Sequence, residues 1–154
     1  MADQALLSYL RAQQASLQWS PVLRALAAEI GGQSGHDALR DLFFRVGHRF
    51  ATDMAGEFGG ARSLAELEER LNSLWSRMNW GWVAFREDRD GVHVKHCCAP
   101  LAEAFGDESL AWSVGLLEGI YTSLFRQLGA GDTATVRIVG AVIDGMHFQL
   151  VLTV

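Results

Sequence analysis

"LNSLWSRMNWGWVAF", Leu71 to Phe85, changes its hydrophobic period partway along. Up to Met78 the apolar residues fall at steps of three and four, so that Leu64, Leu67, Leu71, Leu74 and Met78 line one face of a helix. Beyond Met78 the period becomes two, the alternation of a strand. Trp80 and Trp82 then point one way, and Val83 and Phe85 the other. Asn79 tolerates the non-helical backbone that such a junction needs, and Gly81 lets another element come near. A chain that passes from helix to sheet in this way, with further helices and strands around it, belongs to the α+β class.

Upstream, Ser63 and Glu66 form a capping box that opens this helix. A helix before it begins at Ser34, with Asp37 three residues on, carries Leu39, Phe43, Val46, Phe50 and Met54 at helical spacing, and closes at "EFGG". Ser20-Pro21 caps an earlier helix whose stripe is Val22, Leu23, Leu26, Ala27 and Ile30, with Gly31-Gly32 as its end. Leu6, Leu10 and Leu17 mark a first helix from about Asp3 to Gln18. Downstream, "WGWVAFRED" and "GVHVKHCC" flank Asp90-Gly91 and form a hairpin. A long helix follows from about Asp107 to Leu128, with Gly129 as its stop. "TATVRIVGAVI", Asp144-Gly145 and "MHFQLVLTV" form a second hairpin. The expected order is four helices, hairpin, long helix, hairpin, with an antiparallel sheet of about four strands covered on one side by helices. Apolar residues on both faces of the first strand imply that the second face meets another copy of the chain or the fifth helix, as in an obligate oligomer.

At 154 residues the chain suits one domain, spanning 1–154, and folding should bury roughly 68–70% of the unfolded surface. It is 49% hydrophobic and 20% charged, too apolar for disorder. The formal charge is −5, and the basic residues are arginines apart from Lys95, with no run among them, which argues against nucleic acid. "MADQALLSYLRAQQ" lacks the basic start of a secretory signal, and no apolar run is long enough to insert in a membrane. The two cysteines, Cys97 and Cys98, are adjacent, a poor spacing for a disulfide, and read as reduced thiols. The expected location is the cytoplasm.

Chemistry-bearing patterns are sparse. "HVKHCC" puts His93 and Cys97 on one strand face and His96 and Cys98 on the other, so the four do not converge as metal ligands, and no metal or other cofactor is expected. Neither a nucleophile elbow nor a phosphate loop is present. Glu118, in "GLLEGIY", is read as a buried carboxylate that accepts an arginine or backbone donor at a helix contact, in preference to a general acid or base. Gly115 and Gly119, one turn apart, let a second backbone approach. No catalytic residue is expected.

Three motifs together carry a resemblance. "LNSLWSRMNWGWV", with Leu71, Asn72, Leu74, Asn79, Trp80, Gly81, Trp82 and Val83, resembles the signature of the D subunit of bacterial cellulose synthase. "LFFRVGHRFA", Leu42 to Ala51, is similar to that family's helix with valine-glycine. "LLEGIY", with Leu117, Glu118, Gly119 and Tyr121, looks like its second hallmark. Where the family often has a second aromatic about three positions after the tyrosine, this chain has Leu124 then Phe125. The resemblance runs from about Pro21 to the C-terminus and leaves the N-terminal helix, residues 1–18, largely outside.

It implies a non-catalytic accessory subunit that assembles as a homo-octameric cylinder, a tetramer of dimers, and helps align β-1,4-glucan chains into crystalline cellulose. It implies either glucan passages through the cylinder or a cytoplasmic scaffold built with a proline-rich partner protein; the absent signal and the reduced thiols favour the second. The N-terminal helix, through Leu6, Tyr9 and Leu10, is the expected place for contact with a glucan passage or a partner. The tryptophans Trp80 and Trp82 are expected to pack in a core or interface. A small-molecule-binding or adaptor domain, and a monomeric carbohydrate-binding module, are the competing readings.

Overall fold

The computed structural model describes residues 3–154. Helices α1 (Gln4–Gln14), α2 (Ser20–Gln33), α3 (His36–Asp53), α4 (Ala55–Phe58) and α5 (Leu64–Met78) precede a hairpin of β1 (Trp82–Asp88) and β2 (Gly91–Cys97). Then come α6 (Leu101–Phe105), a 3₁₀ turn (Asp107–Ser109), α7 (Leu110–Ser113), α8 (Gly115–Gln127), β3 (Thr135–Ile138) and β4 (His147–Thr153). The four strands form one antiparallel sheet in the order β1-β2-β4-β3, so the two hairpins meet through β2 and β4. The fold is the α+β arrangement that the change of period predicts.

The sheet buries one face. Val83 stands beside His96, and His96 beside Phe148; Phe85 stands beside Val94, and Val94 beside Leu150. Helix α8 lies over this inner face, and α3 packs on α8 from the other side. Sandwiched in this way, α8 is buried at every residue from Gly115 to Phe125. Helix α5 runs beside β1. Its start is fixed by Ser63 Oγ, which accepts the Glu66 N–H at 3.1 Å, and by the Glu66 carboxylate, which accepts the Arg62 N–H at 3.0 Å. It ends where Asn79 adopts a left-handed conformation, φ 57° and ψ 42°.

Several boundaries differ from the sequence expectation. The first helix stops at Gln14, and Leu6, Leu10 and Leu17 face outward; Leu7, Arg11 and Gln14 are the residues that approach the body. Ser20 lies inside α2, with Trp19 at the cap, because its hydroxyl donates instead to the Glu103 carbonyl at 3.2 Å. Helix α2 runs through Gly31-Gly32 to Gln33, so Ser34 ends α2 and Gly35 caps α3. Helix α3 stops at Asp53, and the "EFGG" end belongs to the separate turn α4. The long helix is divided, although Leu110 and Val114 keep right-handed helical dihedrals at the joints, and α6 before it was not expected. The expected shared direction of Trp80 and Trp82 is overturned. Asn79 and Gly81, with φ 57° and 71°, turn the backbone on either side of Trp80, so alternation starts only at Trp82.

Candidate functional site

The junction residues close upon one another. Trp80 N–H donates to the Trp75 carbonyl at 2.8 Å. Its ring lies parallel to Trp75 at 5.6 Å and to Phe50 at 6.1 Å, while Trp75 is fully buried. The Trp80 carbonyl contacts His96 Nε2 at 2.7 Å, and His96 Nδ1 contacts the Tyr121 hydroxyl at 2.6 Å. A carbonyl can only accept, so Nε2 carries the proton and the tyrosine donates to Nδ1. Burial pushes the His96 pKa down to about 4, against the opposing pull of the Trp80 carbonyl, and the ring is neutral at pH 7. The Trp75 indole N–H lies near the Tyr121 oxygen without a well-formed hydrogen bond to it. Gly81 is required twice: its φ is +71°, and an added Cβ would sit 1.9 Å from the Cys97 carbonyl oxygen. Trp82, two residues on from Trp80, is 52% exposed on the outer face of the sheet. Of the two indoles, Trp80 packs inside and Trp82 faces solvent.

Both edges of the sheet are closed by helix side chains. On the β1 edge, Asn72 accepts the Val83 N–H at 2.7 Å and donates to the Val83 carbonyl at 2.9 Å, mimicking a neighbouring strand. Glu68 accepts the Phe85 N–H at 2.8 Å. On the β3 edge, Thr122 Oγ1 accepts the Val136 N–H at 2.8 Å and Glu118 Oε1 the Ile138 N–H at 2.9 Å. These partners occupy the groups through which an edge strand would otherwise recruit another chain.

Glu118 is fully buried. Arg40 grips it with two bonds, Nε to Oε2 at 3.0 Å and Nη2 to Oε1 at 2.5 Å, and Arg137 Nη1 reaches Oε2 at 3.3 Å. Burial alone would raise its pKa, but the Arg40 and Ile138 donors and the two positive charges outweigh it and hold the carboxyl below the usual range. A carboxylate saturated in this way and kept ionised is a structural tie between α8, α3 and β3. It has no proton to give and no free oxygen to act as a base.

Glycine makes the contact between α3 and α8. An added Cβ would lie 2.1 Å from the Leu116 oxygen at Gly47, 2.4 Å from the Arg40 oxygen at Gly115 and 2.0 Å from the Phe44 oxygen at Gly119. The valine-glycine helix and the "LEGIY" helix are therefore two halves of one backbone-to-backbone crossing. Leu71, Leu74, Leu117 and Tyr121 are buried in the core. Phe125, the aromatic displaced by one position, is buried and packs edge-on against Phe85 at 5.8 Å.

The histidine and cysteines at the end of β2 are not arranged as a reactive centre. Both nitrogens of His96 are engaged, and among the described residues no three His, Cys, Asp or Glu side chains gather as a metal site. Burial raises the pKa of both Cys97 and Cys98, the reverse of an activated thiol. Among the described residues no helix is long and apolar enough to cross a membrane.

What remains outward is apolar. Tyr9, Leu17, Trp19, Val22 and Leu26 are more than half exposed, as is Leu6, and Leu10 is nearly so. Val22 and Leu26 were expected in the buried stripe; α2 instead turns Leu23, Ala27 and Ile30 inward. On α3, Val46 is likewise 48% exposed, because Gly47 takes the contact with α8. Helix α1 itself is held by polar groups: Arg11 pairs with Glu103 and with Asp107, and Gln14 donates to the Cys98 carbonyl at 2.6 Å. Asn79 adds a bond from its amide to the Gln13 carbonyl at 3.2 Å. Sequence reasoning missed Arg40, Arg137, Glu68 and Thr122, whose partners lie on other elements. For the two edge caps, an acid or hydroxyl on an otherwise apolar helix face beside a strand was the signal.

The chain matches the family of the cellulose synthase D subunit over residues 5–152. The match includes the first helix, which the sequence resemblance left largely outside. No curated protein matches the chain.

Proposed function

We propose a non-catalytic, architectural role for this chain, which belongs to the cellulose synthase D-subunit family. The family makes it an accessory subunit in cellulose synthesis, associated with a synthase complex. In our reading the subunit assembles with copies of itself into a homo-octameric cylinder, a tetramer of dimers. The cylinder sets synthases in order so that neighbouring β-1,4-glucan chains come together as crystalline cellulose. It works as a scaffold in the cytoplasm, where a proline-rich partner protein joins cylinders together.

The observation that carries this reading is the surface of α1 and α2. Tyr9, Leu17, Trp19, Val22 and Leu26 are large apolar groups left in solvent on two neighbouring stretches of chain. So many large apolar side chains left exposed in adjoining segments support an interaction surface there. Because both sheet edges are closed, copies meet through side-chain surfaces instead of by adding strands. The chain's charge of −5 is repeated in every copy, and apolar contact is the natural way to offset that repulsion. The saturated states of Glu118 and His96 support a role without chemistry.

The test is complementation of a cell lacking the protein with Leu26→Glu or Trp19→Glu. Both sites are exposed, so the monomer should fold. The expected result is a folded protein that fails to assemble and yields cellulose of reduced crystallinity. Normal cellulose from a variant that is demonstrably monomeric would defeat the proposal.

A further inference from the structure

Helix α3 carries a stripe that assembly through α1 and α2 does not use. Leu42, Arg45, Val46 and Arg49 recur at the i, i+3, i+4, i+7 spacing that sets residues on one helix face, and Asp41 stands one turn before Arg45. Leu42 is 37% exposed and Val46 48%, and Asp41, Arg45 and Arg49 are exposed beside them. The opposite side of α3 is held by Gly47, which brings it against α8, so the stripe cannot turn inward.

The charges of the stripe are unspent within the chain. Among the described residues neither Asp41, Arg45 nor Arg49 forms an ion pair. Yet Asp41 with Arg45, and Arg49 with Asp53, have the i,i+4 spacing that permits one within the helix. The signs are also ordered. Asp41 and Arg49 lie equally far on either side of Arg45, about 12 Å from each other along the helix. A purely acidic partner would meet Asp41 as well as the arginines, and a purely basic one would meet both arginines. The complement of this pattern is the same stripe run in reverse.

We propose that α3 pairs with α3 of a second copy, antiparallel, about a two-fold axis beside Arg45. Asp41 of each helix then stands opposite Arg49 of the other, as a self-complementary two-fold contact requires. Leu42 and Val46 of both copies lie between these ion pairs and leave water. A trough of about 460 Å³ beside the stripe, lined by Phe44, Arg45, His48, Arg49, Thr52 and Asp53, gives the long side chains room. The contact rests on the self-assembly proposed above and supplies what that reading lacks. One two-fold contact stops at a dimer, so a tetramer of dimers needs a second, different surface on every subunit.

The experiment measures native mass on the full-length protein, on Val46→Glu, on Asp41→Arg, on Arg49→Glu, and on the double exchange Asp41→Arg with Arg49→Glu. Helical circular dichroism checks that each still folds, as exposed sites should. Val46→Glu puts two carboxylates into the apolar centre, and each single exchange sets like charges opposite one another. The expected result is loss of the full-size particle in all three single variants. The double exchange restores it, because the same pairs form with their signs reversed; a merely damaged helix would not recover. A full-size particle in Val46→Glu, or no recovery in the double exchange, overturns the contact while an assembled wild type leaves the architectural reading standing. A wild type that is itself monomeric removes that reading, and this contact with it.

Discussion

Replacing Gly119 by alanine adds one methyl group at the point where α8 touches α3. That carbon would sit 2.0 Å from the Phe44 oxygen, 2.8 Å from the Phe44 carbonyl carbon and 3.0 Å from the His48 nitrogen. Ordinary contact begins near 3.4 Å, so the two backbones must part by more than 1 Å. No side chain can rotate to relieve the clash, because every obstructing atom is main chain. Opening the crossing also strains the facing contacts of Gly47 and Gly115 and the Arg40–Glu118 bonds. Overpacking a core costs about 1–3 kcal/mol, and backbone obstruction places this site at or above the upper end. Alanine's helix preference returns up to about 1 kcal/mol. The net loss is about 2–4 kcal/mol, a fall in Tm of roughly 5–15 °C for a chain of this size. Gly32→Ala is the matched control: it too lies within a helix, but its added carbon meets nothing within 4 Å. It should be neutral or raise Tm by a few degrees, up to about 1 kcal/mol. Calorimetry at one fixed protein concentration reads both, since assembly couples to stability. If Gly119→Ala melts within two or so degrees of wild type, or moves with Gly32→Ala, the close-crossing argument is wrong.

Three further substitutions probe the buried ties. His96 titrates near 6.5 when unfolded and about 4 in the fold, so the unfolded chain takes the proton first on acidification. Stability is therefore full above pH 6.5 and declines towards pH 4 by roughly 3 kcal/mol, a slope that His96→Gln should flatten in pH-dependent denaturation. Glu118→Gln leaves two guanidinium groups without their anion; because Arg40 and Arg137 are partly exposed and can rehydrate, the loss is about 2 kcal/mol. The depressed Glu118 pKa means its contribution is present above the ordinary carboxyl range near 4.3 and lost below it, and the variant's stability curve should be flatter there. Asn72→Leu strands both polar groups of Val83 and should cost about 1–3 kcal/mol, with faster amide exchange at Val83 as the local readout.

The change of period at Met78 was legible because it depends on neighbours along the chain, and so were the Ser63 cap and the Asn79 turn. Helix α8 shows where such reading stops. Its stripe suggested one buried side, but burial all round follows from α3 lying over it, which no local pattern states. Arg40 and Glu118 are 78 residues apart, so their bond was invisible although Glu118 stood out. Val22 and Leu26 misled for the opposite reason. An apolar face that the monomer leaves open looks, in sequence, the same as one that it buries. Trp80 and Trp82 were misassigned by one principle, alternation, where two left-handed residues intervened.

Native mass in solution, read by mass spectrometry and negative-stain imaging of the same sample, tests the architectural account most directly. The account predicts a closed ring of about 135 kDa, eight copies of a 16.9 kDa chain, and its collapse to smaller species in Leu26→Glu. A stable particle at 16.9 kDa under the same conditions would contradict it.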